Sequence, residues 1–161
     1  MPSMNERIVL NTGPIISLGK MQAFELISRL PYLLICPWQV AEEVTAGRNG
    51  GQVISMPSMI DVIKPSSPLS ARSLASLDAG EAAVIELASE IDVHLVCIDE
   101  LKGRRAATAA GLRVVGSLGL LGRAKRLGLV DRVGPFIERA NTNGVYYGDE
   151  LVKTFLDGIG E

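Results

Sequence analysis

Four positions along this chain carry oxygen side chains where phosphodiester chemistry would need them: Asn11, Glu43, Glu81 and Asp99. Glu81 opens the helical stretch LDAGEAAVIELA. Asp99 closes the strand-like run LVCID, 18 residues later. In a parallel α/β sheet, ligands bind outside the carboxyl ends of the strands. Acids delivered there suit a hard divalent cation, Mg2+ or Mn2+, with positions left open for water and substrate. Lys102, Arg104 and Arg105 follow Asp99 within two helical turns and supply cations for a phosphate backbone. Together these residues point to a nuclease.

Each position also has a plainer reading. The local sequence of Asn11, in NTGP, favours a helix cap. Glu42 and Glu43 lie between Val40 and Val44 at helical spacing, so one glutamate faces the core side and the other faces outward. Asp78 and Glu81 form a capping-box pattern, and Asp99 is placed to cap a helix starting at Leu101. What favours function over these readings is convergence of the four on one sheet edge.

The elements that must position them alternate between strand and helix. Strands are expected at 7–10, 32–36, 61–64, 93–98 and 113–115, with 61–64 as a short edge strand and 93–98 as the central one. One or two helices fill 14–30, with Gly19 as a break. Further helices are expected from Pro37 to Gly47, near 70–76, from Asp78 to about Ile91, up to Ala110, and over 118–127, 131–141 and 149–158. Residues 47–58 read as a loop. Such alternation predicts an α/β fold, a three-layer α/β/α sandwich with a mostly parallel central sheet. No linker separates a second domain, so 1–161 is expected to be a single domain.

Composition narrows the function classes. The net charge is −2, but residues 100–132 carry +6 and the rest −8. A basic third on an acidic body can steer a phosphate backbone to one face. No run approaches the ~18 apolar residues of a membrane span. The start, MPSMNERIVL, lacks a signal-peptide core, so a cytoplasmic protein with no membrane partner is expected. Cys36 and Cys97 sit in apolar runs and read as inert buried thiols. His94, the only histidine, opens a buried strand and is expected to be structural.

Taken together, IVLNTGPIISL, PWQVAEEV, LDAGEAAVIELA, LVCIDELKGRRAA and VVGSLGLLGRAK resemble the PIN-domain family, the fold of VapC-type toxin ribonucleases. The last blocks look closest to a prokaryotic branch described as nucleic-acid-binding. The resemblance covers nearly the whole chain. It implies a metal-dependent endoribonuclease using Mg2+ or Mn2+. Asn11 falls where the family usually has its first aspartate. Glu43 matches the family's helix glutamate, Glu81 its third acid and Asp99 its fourth. Ser117 matches a small hydroxyl position near the site. The resemblance also implies RNA, or another single-stranded nucleic acid, as partner, a small antitoxin protein that covers the acidic pocket, and a homodimer. Ile15, Ile16, Leu18, Leu151, Phe155 and Ile159 are candidate contact residues, with core packing as the alternative.

The departure at Asn11 removes one negative charge from a hard-cation site, so weaker metal affinity is expected. The alternative function is therefore a catalytically weak or inactive nucleic-acid-binding module. A receiver-like phosphotransfer domain lacks its acceptor aspartate here, because that position is Asn11. NTGPIISLGK is only superficially like a phosphate-binding P-loop.

Overall fold

The computed structural model describes residues 5–47 and 55–161. Five strands form one all-parallel sheet: β1 (Glu6–Leu10), β2 (Tyr32–Pro37), β3 (Asp61–Ile63), β4 (Leu95–Cys97) and β5 (Arg113–Val115). Their order is β3-β2-β1-β4-β5, the kind of sheet around which an α/β/α sandwich is built. The order reverses at β1, whose chain continues beside β2 on one side and β4 on the other. Ile8 pairs with Leu34 and Leu95, and Leu10 with Cys97. A ligand crevice is expected at such a switch point.

Strand composition follows from burial on both faces. Ile8, Val9, Leu10, Val96 and Cys97 are fully buried. The expected strand at 93–98 is shorter, and it is an inner strand beside the central β1. Val93 and His94 precede it and Ile98 follows it, because the chain leaves the preceding helix through a turn at Ile91 and Asp92, where Asp92 adopts a positive φ of 56°, and pairing begins at Leu95. His94 therefore precedes β4 and is exposed, 3.3 Å from Asp92 Oδ1, which corrects its reading as a buried strand residue. Residues 48–54 of the expected loop lie outside the described residues.

The chain packs as two compact units. The first comprises residues up to Ile16 together with Pro31–Gly116. It holds the whole sheet, the start of α1 (Thr12–Lys20), α3 (Trp38–Thr45), α4 (Ala71–Ser76), α5 (Ala79–Glu90) and α6 (Leu101–Ala109). Helix α5 is its organising element. It packs on α3 and against β1, β2 and β4, burying Ala82, Ala83, Val84, Leu87 and Ala88. The alanines let helix and sheet approach closely, while Glu86, Ser89 and Glu90 lie away from that buried face.

The second unit comprises Ser17–Leu30 and Ser117–Glu161. It holds the end of α1, α2 (Phe24–Ser28), α7 (Ser117–Arg126), α8 (Gly134–Thr142) and α9 (Asp149–Gly158). The break within 14–30 falls at Gln22, φ 55°, and Gly19 lies inside α1. Glu161 anchors this unit. Its side chain accepts hydrogen bonds from the N–H groups of Val133 (2.7 Å) and Gly134 (3.0 Å) and from Lys125 Nζ (2.9 Å). These partners satisfy donors at the start of α8 that the helix itself leaves open. Burial works to raise the Glu161 pKa, but the two N–H groups and Lys125 outweigh it and bring the value down to about 2.

Ile15, Ile16 and Leu18 are buried in the core and are not available as contact residues in the folded chain. Leu151 is exposed, while Phe155 and Ile159 are half-buried. Cys36 and Cys97 are free and buried. Burial pushes the Cys36 thiol up to about 12 and raises Cys97 as well.

Candidate functional site

Asn11 directly follows β1, and its N–H donates to Cys97 O at 3.0 Å, extending the pairing of β1 with β4. That bond fixes the backbone at the carboxyl edge of the two inner strands. The Asn11 side chain is buried, and its Oδ1 has no hydrogen-bond partner. This overturns the cap reading, because a capping oxygen would accept from an N–H of α1. A buried carbonyl oxygen left without a donor costs about 1–3 kcal/mol, and such groups are rare enough to need a reason.

Thr12 is buried as well. Its hydroxyl donates to Glu43 Oε2 at 2.7 Å, tying the start of α1 to α3. Glu42 is exposed and Glu43 half-buried, as the apolar spacing of α3 requires. The Glu43 carboxylate lies against Gly80 in the first turn of α5. A Cβ on Gly80 would stand 2.7 Å from Glu43 Oε2 and 3.0 Å from Oε1.

Glu81 follows immediately and is 3% exposed. Asp78 caps α5 by accepting from the Glu81 N–H at 2.7 Å. Burial is the main cause holding the Glu81 carboxyl above the usual carboxylate range. The Asp78 and Glu100 charges add to it, while a hydrogen bond from the Asp78 backbone and the Lys102 charge oppose it. The capping box is thus real, and it also holds an acid inside the fold. Gly103 of α6 makes room for Ile98 and for that acid, since a Cβ there would be 2.9 Å from Ile98 Cγ2 and 3.2 Å from Glu81 Oε1.

Asp99 lies just beyond β4 and is half-buried. The N-cap position of α6 is Glu100, one residue further on than the expected cap at Asp99. A Cβ on Gly116 would meet Asp99 Oδ1 at 2.9 Å and Arg104 Nη1 at 3.0 Å, so carboxylate and guanidinium flank the same glycine. Arg104 is half-buried and donates to Ile98 O at 2.9 Å. Lys102 and Arg105 are exposed. Ser117 belongs to the second unit, where it is buried with its hydroxyl 2.7 Å from Tyr147 Oη.

The edge thus carries two local groupings, Thr12–Glu43–Gly80 and Asp99–Gly116–Arg104, with Glu81 between Gly80 and Gly103. Among the described residues, no three His, Cys, Asp or Glu side chains form a group that could hold a metal ion. The donors remain all-oxygen, and the orphaned Asn11 Oδ1 is one of them. Mg2+ keeps several waters and is commonly held by one or two carboxylates plus substrate phosphates. The donor chemistry fits such a largely hydrated ion and does not fit a closed protein cage.

A family profile described as a PIN domain matches residues 7–161. The chain belongs to the PIN-domain family. No curated protein matches it. The assignment agrees with the all-parallel sheet and carries with it a nuclease-type fold. PIN domains generally use divalent metal ions. No helix among the described residues of this PIN domain is long and apolar enough to cross a membrane.

Three glycines escaped sequence reasoning: Gly80, Gly103 and Gly116. So did Thr12 as the partner of Glu43. The available signal was glycine inside helical patterns, in DAGE and LKGRR, where it costs ~1 kcal/mol relative to alanine and calls for a packing reason. Gln39, whose buried Oε1 also lacks a partner, carried no signal at all.

Proposed function

We propose that this PIN domain is a metal-dependent endoribonuclease in which Asn11, Glu43, Glu81 and Asp99 form the acid edge. The observation that carries the reading is the buried Asn11 Oδ1 without a donor, one residue beyond the central strand. An oxygen in that position is spent on an ion or an ordered water, since it serves no cap. The chemistry that Mg2+ or Mn2+ would supply there is charge neutralisation at the scissile phosphate and activation of a water.

The protein's own contributions are positional and electrostatic. Glu81 and Asp99 would hold the ion, helped by Asn11 and Glu43 directly or through water. Thr12 holds Glu43 in one orientation. Gly80, Gly103 and Gly116 let three side chains lie where any Cβ would displace them. Arg104, fixed by Ile98 O, presents its guanidinium to the phosphate backbone, and exposed Lys102 and Arg105 add long-range attraction. The toxin role, with a small antitoxin protein and a homodimer, belongs to this reading. A neighbouring gene for a small DNA-binding protein would support it.

A second reading is an inactive nucleic-acid-binding module. It is favoured by the absence of a three-acid group among the described residues and by the charge lost at Asn11. Incubation with labelled structured RNA in Mg2+, Mn2+ or EDTA separates the two. Cleavage that needs metal and disappears in Asp99→Ala supports the nuclease. RNA binding with no cleavage in either metal supports the module.

A further inference from the structure

The second unit contains a cavity of about 230 Å3, lined by Gln22, Glu25, Leu26 and Arg29 from one segment and by Leu129, Val130, Phe136 and Arg139 from the other. None of these residues takes part in the acid edge. Phe136 and Arg139 are one turn apart on α8, and the guanidinium carbon lies 4.7 Å from the ring centroid. Stacking in this way leaves the N–H edge of a guanidinium available for a planar, bidentate partner.

Both arginines are weakly engaged. Arg139 Nη1 reaches Gln22 Oε1 at 3.5 Å, and Arg29 Nη1 reaches Leu129 O at 3.5 Å. These distances lie beyond the ~2.7–3.2 Å of ordinary N–H···O bonds. The cavity floor is apolar, with Leu26 buried and Leu129 and Val130 half-buried. Glu25 is the one acid in the lining, which therefore nets +1.

We infer that this cavity binds a single nucleotide phosphate, with the phosphate held by Arg29 and Arg139 and the attached base or sugar against Phe136, Leu26 and Leu129. Two guanidiniums around one anion, beside an aromatic ring, is the combination by which proteins hold single-stranded nucleotides. The volume falls below the ~300–1,000 Å3 of drug-sized ligand sites, which suits one nucleotide unit. With Glu25 present, a net +1 matches a monophosphate or diester better than a polyphosphate. The inference goes beyond the proposed nuclease reading and needs none of its residues.

The test is calorimetric titration of the whole protein in EDTA at low salt with AMP, inorganic phosphate and adenosine. AMP is expected to bind more tightly than either fragment. Arg29→Gln and Arg139→Gln are each expected to weaken it about tenfold, as loss of a charged hydrogen bond does. Phe136→Leu is expected to weaken AMP more than phosphate. Arg29 is exposed, so its variant keeps the test valid if Arg139→Gln melts early. No AMP binding, or binding unchanged in Arg29→Gln, overturns the inference. So does binding that survives both arginine variants and is lost in Asp99→Ala, which assigns the nucleotide to the acid edge. Absence of RNA cleavage alone leaves the expected titration result unchanged.

Discussion

The Thr12 hydroxyl donates to Glu43 Oε2 at 2.7 Å, joining the residue after Asn11 to the second helix of the acid edge. Removing it leaves a half-buried carboxylate oxygen short of a donor. Thr12→Val is therefore expected to lower stability by about 1–2 kcal/mol in urea unfolding, with Thr12→Ser close to the original. On the nuclease reading, RNA cleavage falls in the valine variant and persists in the serine variant.

Gly80→Ala separates stability from function. Alanine gains up to ~1 kcal/mol of helix propensity over glycine. Its Cβ would stand 2.7 Å from Glu43 Oε2, but that atom ends a flexible side chain that can swing aside. Swinging aside gives up the Thr12 bond, which offsets the helix gain, so thermal stability is expected to stay within about 1 kcal/mol of the original while metal-dependent cleavage drops. A variant equally active and equally stable would show that the placement of Glu43 is irrelevant.

Glu161 predicts an acid sensitivity in the second unit. Its pKa, near 2 in the folded protein, lies below the ordinary 4.5, so the carboxylate stabilises the fold above that ordinary value. The contribution declines as pH falls below 4.5 and is gone once pH passes below the folded value. Glu161→Gln is expected to cost about 2 kcal/mol at pH 7, the scale of hydrogen bonds to a charged group. The difference between variant and original should shrink steadily in melts taken from pH 5 to pH 2.

Arg104→Gln tests the phosphate contact. Binding to single-stranded RNA is expected to weaken, and the slope of log affinity against log salt to flatten by about 0.7. Asp99→Asn in the same assay removes a negative charge beside Arg104 and should tighten binding. An unchanged slope in Arg104→Gln would mean that the guanidinium serves only Ile98 O.

Much of the fold was legible because strand and helix periods are local. The strands at 113–115 and 32–36 and the capped helix from Asp78 are visible in short windows of sequence. Asp99 and Glu81 stand out in the sequence because a strand end and a capping box each mark their own position. What escaped depends on distant partners. Asn11 and Thr12 are adjacent and both polar, and only the fold reveals that the Thr12 hydroxyl bonds Glu43 while the Asn11 Oδ1 has no partner. The sequence suggests a break at Gly19 because glycine is the usual residue at such points, whereas the break falls at Gln22, where a glutamine takes the positive φ. Gly80, Gly103 and Gly116 look like helix faults or turns until the carboxylates above them are seen.

The central claim is that Asn11 Oδ1 is kept without a partner to serve a cation at the acid edge. Mn2+ binding to the original protein, Asn11→Asp, Asn11→Leu and Asp99→Ala, followed by electron paramagnetic resonance, tests it most directly. A measurable site is expected, tighter in Asn11→Asp and weaker in both Asn11→Leu and Asp99→Ala. Mn2+ affinity that is the same in all four proteins would contradict it.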